Sequence, residues 1–253
     1  EGSQAYYDSL FALYAQWGVD YVKCDDICNT NLYKENPYSA AHEIEMLHKA
    51  IEKSGRPVVL SLSPGPALIE KAWHYEKYAN MWRITDDFWD KWELLLNMFE
   101  RCELWQNHVK EGCFPDCDML PLGFLGKGFG EERQTNFTKD EQVTMMTLWC
   151  IFRSPLMLGA GVQVERDKTH AVWASREEKE GRVYAALFNF CEEETEVSVS
   201  LEDLYASVSA ANEEGAKLTA EELWTGETVE CKDGKVTGSV KAHGAKLYLL
   251  KKR

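Results

Sequence analysis

Two aspartate pairs, Asp25-Asp26 and Asp86-Asp87, each stand directly after a short strand-like run, at 19–24 and 79–85. Two carboxylates facing one pocket are the equipment for glycoside hydrolysis: one attacks the anomeric carbon or activates water, and the other gives a proton to the leaving oxygen. A cation precedes each pair, Lys23 two residues before Asp25 and Arg83 four before Asp87. Side chains alternate along a strand, so Lys23 and Asp25 point to one face, as do Arg83, Thr85 and Asp87. Such cations can keep a carboxylate ionised and hold substrate hydroxyls. Capping is the other reading, with Asp25-Asp26 capping the next segment and Asp86-Asp87 opening a helix at Phe88. Spacing alone leaves both open.

The elements that must position these groups alternate between helix and strand. Residues 4–17 carry Tyr6, Tyr7, Leu10, Phe11, Leu13, Tyr14 and Trp17 at helical spacing and stop at Gly18, which predicts a helix with a glycine cap. Strands follow at 19–24, 57–62, 79–85, 118–122 and 155–159, with helices at about 38–53, 66–78, 88–108 and 139–152 between them. Thr138-Lys139-Asp140-Glu141 has the form of a capping box. Five strands at βαβ spacing predict a parallel sheet. A complete eight-stranded barrel needs about 250 residues, and this part has about 160, so it reads as the later strands of a partial (β/α)8 TIM barrel. After residue 165 the pattern changes to short strands at 171–175, 183–189, 195–201, 216–223, 227–232, 235–240 and 246–250. The expected organisation is a partial barrel over 1–165 followed by a small antiparallel β-sandwich over 166–253, within the α/β class. In a barrel the chemistry gathers at the carboxyl ends of the strands, where both aspartate pairs fall.

Composition narrows the partners. The 253 residues carry a formal charge of −14, which repels phosphate backbones and anionic lipid, so neither nucleic acid nor membrane is expected as a partner. No apolar run approaches the roughly 20 residues of a membrane span. The eight cysteines read mainly as buried thiols. Cys24/Cys28 and Cys113/Cys117 have a spacing that a zinc site or a disulfide could use, but no histidine accompanies either pair, and no metal or cofactor is expected. Asn136-Phe137-Thr138 has the form of a glycosylation sequon, yet its place before the capping box favours a structural role. Trp89 and Trp92 read as core, and Phe114 as a possible pocket wall. Compartment and oligomeric state leave no trace in the sequence.

Several segments resemble glycoside hydrolase family 27, the α-galactosidase and α-N-acetylgalactosaminidase family. Trp17-Gly18-Val19-Asp20-Tyr21-Val22-Lys23-Cys24-Asp25 is similar to its nucleophile segment, and Trp82-Arg83-Ile84-Thr85-Asp86-Asp87 to its acid/base segment. Pro115-Asp116-Cys117-Asp118-Met119-Leu120 with Gly123 resembles its D-P-D-M-L segment, and 148–157 a barrel helix and the last barrel strand. The resemblance implies a retaining double displacement with Asp25 as nucleophile and Asp87 as general acid/base. It also implies Lys23 and Arg83 on the sugar hydroxyls, and Asp118 and Met119 along the pocket. Galactose-containing glycosides or oligosaccharides are the implied substrates.

Two departures accompany the match. The family's first three barrel strands and its last barrel helix have no counterpart here, which leads us to expect a fragment of low stability and little activity. Ser63 stands where typical α-galactosidases resemble a C-E-W sequence, which leaves room for an N-acetyl group at C2. The expected activity is release of terminal α-D-galactose. The alternatives are an α-N-acetylgalactosaminidase, a β-L-arabinopyranosidase, a non-catalytic sugar-binding remnant, and a metal-dependent βα enzyme with the aspartates as ligands.

Overall fold

The computed structural model describes residues 2–29, 34–63, 66–126, 130–155, 161–177, 180–210 and 218–252. Two compact units emerge, one formed by 1–88 with 107–119 and the other by 89–106 with 120–253.

The first unit runs α1 (Gly2–Trp17), β1 (Tyr21–Cys24), α2 (Ala41–Ser54), β2 (Val59–Leu62), α3 (Ala72–Tyr78) and β3 (Met81–Arg83). After α4 (Trp92–Trp105), which belongs to the second unit, the chain returns as β4 (Phe114–Asp116). The four strands form a parallel sheet in the order β1-β2-β3-β4. The first two helices end at glycines. Gly18 turns the chain at φ 78°, and Arg56 then donates to the carbonyls of Gly18 and Val19, tying the end of α1 to the loop before β2. Gly55 closes α2 in the left-handed conformation. The face of the sheet bearing Leu60, Leu62, Trp82 and Ile84 is buried, with Tyr75 of α3 stacked on Trp82 at 5.7 Å. Lys23, Ser61 and Met81 occupy the opposite face in register, and Arg83 and Asp116 pair at the next level up.

Two expectations need correction. The fourth strand lies at Phe114–Asp116, not at 118–122, and the expected helix 66–78 is a 3₁₀ turn at Ile69–Lys71 followed by α3. The Asp118-to-Leu122 run is apolar, but Asp118 has φ 77°, which no strand accommodates. The expected strand at 155–159 falls almost wholly outside the described residues.

The second unit contains α4, a short hairpin of β5 (Phe124–Leu125) and β6 (Arg133–Gln134), and α5 (Lys139–Phe152). The capping box forms: Thr138 Oγ1 accepts the Glu141 N–H, and the Glu141 carboxylate accepts the Thr138 N–H. Next come β7 (Gly161–Arg166), β8 (His170–Arg176), β9 (Val183–Asn189), β10 (Thr195–Ser200), α6 (Leu201–Ser207), β11 (Leu218–Glu222), β12 (Thr228–Glu230), β13 (Lys235–Val240) and β14 (Ala245–Lys252). Six of these strands make one antiparallel sheet in the order β12-β11-β14-β9-β8-β7, and β10 pairs with β13. Strand β7 and helix α6 are additions to the expected elements. Ser200 caps α6 by accepting the Asp203 N–H, and Leu201 and Leu204 bury its inner side.

Both faces of the central strands are covered, so β8 and β9 are buried at nearly every position instead of alternating. Val172, Ala174, Ala185 and Leu187 pack with Val197, Val199, Val236 and Val240 in one apolar core. On the other face Phe188 meets Phe99 of α4 edge-on at 4.8 Å, and Trp173 meets Phe152 of α5. Gly238 of β13 leaves room for Tyr248: a Cβ there would sit 2.7 Å from the phenolic oxygen.

Candidate active site

The site residues come from consecutive strands of the parallel sheet, at the carboxyl ends. Exposure along β1 alternates, with Tyr21, Lys23 and Asp25 outward and Val22 and Cys24 more covered. Asp26 then adopts φ 53°, which aspartate tolerates better than most side chains, and so the chain turns immediately after Asp25. Ile27 N–H donates to the Ser63 carbonyl, and Ser63 N–H to the Cys24 carbonyl, which fixes the loop after β1 against the end of β2.

Arg83 is the centre of the cluster. Its side chain is 2% exposed, and the guanidinium reaches three oxygens on different segments. Nη1 stands 2.7 Å from Asp118 Oδ1 and 3.2 Å from Ser63 Oγ, while Nη2 is 3.2 Å from Asp87 Oδ1. Asp87 is 68% exposed, whereas the Asp118 side chain is 6% exposed. A buried guanidinium needs such partners, since an unpaired charge in this setting is costly. Two buried polar atoms on this side of the sheet, Ser61 Oγ and Arg83 Nε, have no hydrogen-bond partner among the described residues.

Asp118 and its neighbour Asp116 are electrostatically unusual. Burial pushes the Asp116 carboxyl above the ordinary range, against the pull of the Asp118 N–H and the Arg83 charge. Burial likewise raises Asp118, opposed by the Phe88 N–H, by Arg83 and by the Met119 N–H. Lys23 acts on both carboxyls from β1, so its charge is felt across the cluster.

The structure thus joins Arg83, Asp87, Asp118 and Ser63 directly and adds Lys23 through its charge. Among the described contacts Asp25 takes no part in the hydrogen-bonded cluster; it stands exposed at the end of the neighbouring strand. Met119 is half-buried and offers its N–H to Asp118. Phe114 is half-buried on β4, and Trp92 stacks on His243 at 4.0 Å in the second unit. Asp116 has no role in the sequence reading, although its place two residues before Asp118 was visible. No group of three or more His, Cys, Asp or Glu among the described residues could hold a metal ion.

Fold and site together define a parallel βα-barrel chain with a carboxylate- and cation-lined strand end and an attached antiparallel sandwich. Comparison with known proteins agrees. The alpha galactosidase A family matches residues 1–178, and the alpha galactosidase C-terminal beta sandwich domain matches 167–250. Among solved structures, a family 27 β-L-arabinopyranosidase from Geobacillus stearothermophilus is 45% identical with a TM-score of 0.88, over 99% of this chain and 62% of that one. A candidate α-N-acetylgalactosaminidase from Bacillus halodurans is 38% identical with a TM-score of 0.76, over 100% of this chain and 63% of that one. Alpha-galactosidase 2 of Arabidopsis thaliana is 23% identical over the whole chain, which spans 65% of its length. The chain belongs to glycoside hydrolase family 27, the α-galactosidase family. It spans somewhat less than two thirds of the length of these relatives.

Proposed function

We propose that the protein is a retaining exo-glycosidase that releases a terminal sugar of galactose configuration, α-D-galactose in the first place, from glycosides and oligosaccharides. In this reading residues 1–165 carry the chemistry and 166–253 form the accessory sandwich. Asp25 attacks the anomeric carbon, and Asp87 protonates the leaving oxygen and then activates the water that frees the sugar. Lys23 and Arg83 hold hydroxyls, Ser63 keeps the C2 side open, and Asp118 and Met119 complete the wall. The observation that carries the reading is the Arg83 guanidinium, which joins Asp87 to the cluster at the sheet level where Asp25 leaves β1. An exposed carboxylate held by a buried cation is an oriented group that can still reach a ligand.

A second sugar has a specific observation in its favour. The 45% identity to a β-L-arabinopyranosidase exceeds the identity to the α-galactosidases compared, and that pentose repeats galactose without C6. Release of p-nitrophenol by the full-length protein from the α-D-galactoside, the β-L-arabinopyranoside and the α-N-acetylgalactosaminide tests the proposal. Turnover of at least one, abolished in Asp25→Asn, is the expected result. Turnover that survives Asp25→Asn, or none on all three, overturns it.

A further inference from the structure

Asp87 projects from a short segment that follows β3, and both ends of that segment are pinned by the chain leaving β4. At its start, the Ile84 N–H donates to the Asp116 carbonyl at 3.0 Å. Beyond its end, the Phe88 N–H donates to Asp118 Oδ2 at 2.7 Å. The other oxygen of the same carboxylate, Oδ1, lies 2.7 Å from Arg83 Nη1. One carboxylate therefore grips the residues on both sides of 84–87, and the second guanidinium nitrogen reaches Asp87 itself.

Asp118 can do this only because its own backbone is turned. Its φ of 77° lies in the left-handed region, which is strained for a residue with a side chain. The Asp118 N–H donates to Asp116 Oδ1 at 2.8 Å, and this two-residue turn is the local bond that offsets the strain. Asp116 is 9% exposed and belongs to the strand itself, so the turn is anchored in the sheet.

We infer that Asp118, set by Asp116, is a positioning residue for Asp87: it fixes the segment and the guanidinium that together aim the Asp87 carboxyl. This rests on the proposed role of Asp87 as proton donor. With both oxygens engaged and the side chain buried, Asp118 acts on Asp87 through Arg83 and Phe88.

The test separates aim from general damage by leaving-group demand. Formation of the glycosyl-enzyme needs a proton donor when the leaving group is a sugar or alkyl alcohol, and little help when it is dinitrophenol. The kcat/KM of full-length protein is measured for two glycosides of one sugar, one with each kind of leaving group, in wild type, Asp87→Asn and Asp118→Asn. General acid catalysis is worth about 10²–10⁴-fold, so Asp118→Asn is expected to lose at least about 10-fold more on the alkyl glycoside than on the dinitrophenyl glycoside. Equal losses on both substrates, with a split still seen in Asp87→Asn, overturn this inference alone. No split in Asp87→Asn overturns the acid/base assignment and this inference with it, and an inactive wild type overturns the proposed function as well. If circular dichroism shows Asp118→Asn unfolded, Asp116→Ala replaces it. A smaller split in the same direction supports the inference, and uniform loss overturns it.

Discussion

Replacing Asn189 should unlock one end of the sandwich. The residue is fully buried at the end of β9, and its amide is saturated: Nδ2 donates to the carbonyls of Glu193, Val240 and Lys241 at 2.7, 2.9 and 3.0 Å, and Oδ1 accepts the Cys191 N–H at 2.9 Å. These bonds hold the β9–β10 turn and the turn after β13 to one side chain. In Asn189→Ala the Cys191 N–H loses this acceptor, and the three carbonyls lose the two N–H donors they share. An orphaned donor costs about 1–3 kcal/mol and a lost neutral hydrogen bond about 0.5–1.5, so a total of about 3 kcal/mol is expected. For a chain of this size class that is about 6–12 °C in Tm. Asn189→Asp keeps the shape but aims an anion at three carbonyl oxygens, a penalty of about 3–5 kcal/mol at neutral pH. Burial raises the carboxyl of such a variant, so the folded state binds a proton more readily than the unfolded chain and the penalty shrinks as pH falls from 7 toward 4. Urea unfolding followed by circular dichroism, with amide exchange at β9 and β13, reads both effects. An Ala variant within about 1 kcal/mol of wild type, or an Asp variant insensitive to pH, would refute the reasoning.

Two further outcomes follow from buried groups. Asp90, whose side chain is 1% exposed, accepts from both terminal nitrogens of Arg133 and from the Asn136 N–H, and the Arg133 hydrogen bond, followed by the Asn136 N–H, holds its carboxyl below the usual range despite burial. Its stabilisation is present above the unfolded value of about 3.9 and is lost as pH falls through the lower folded value. Asp90→Asn should therefore cost about 2 kcal/mol at pH 6, and its stability should converge on wild type in strong acid; parallel pH curves would contradict this. Burial pushes the Cys28 thiol up to about 12, so a disulfide-forming thiol reagent at pH 8 should spare it in the native protein and label it after unfolding. Native labelling of Cys28 at the rate of the partly exposed Cys191 would count against that.

Much of the architecture was legible because hydrophobic period and caps agree. Helices α1, α2 and α5 and strands β2, β3, β9 and β13 lie close to where spacing puts them. Strand β4 was hidden because it is short and contains Pro115, which usually argues against a strand. Here the Phe114 N–H and the Asp116 carbonyl make the bonds to the β3 side, so the proline nitrogen has no ladder bond to give there. Helix α6 was missed although Ser200 with Asp203 is a cap signal, since the preceding strand pattern runs into it. At the site, sequence spacing put Arg83 near Asp87, but β3 ends at Arg83 and the pair meets across the bends that follow it, while Asp25 stands outside the hydrogen-bonded cluster. The grip of Asp118 on Arg83 and Phe88 was not readable, because it depends on a left-handed backbone and on contacts between separate strands.

The in-register parallel sheet also bears on which changes the chain can absorb. Lys23, Ser61, Met81 and Phe114 are linked partner to partner, and Arg83 is partnered with Asp116 one level above. A single inserted or deleted residue inside any of these strands would swap the faces of everything beyond it and remove one member from the cluster. The same change in a connecting loop leaves the levels aligned. Random indel libraries should therefore return survivors clustered between the strands, so that the region's capacity for new specificities lies in its loops while the strands act as a fixed ruler.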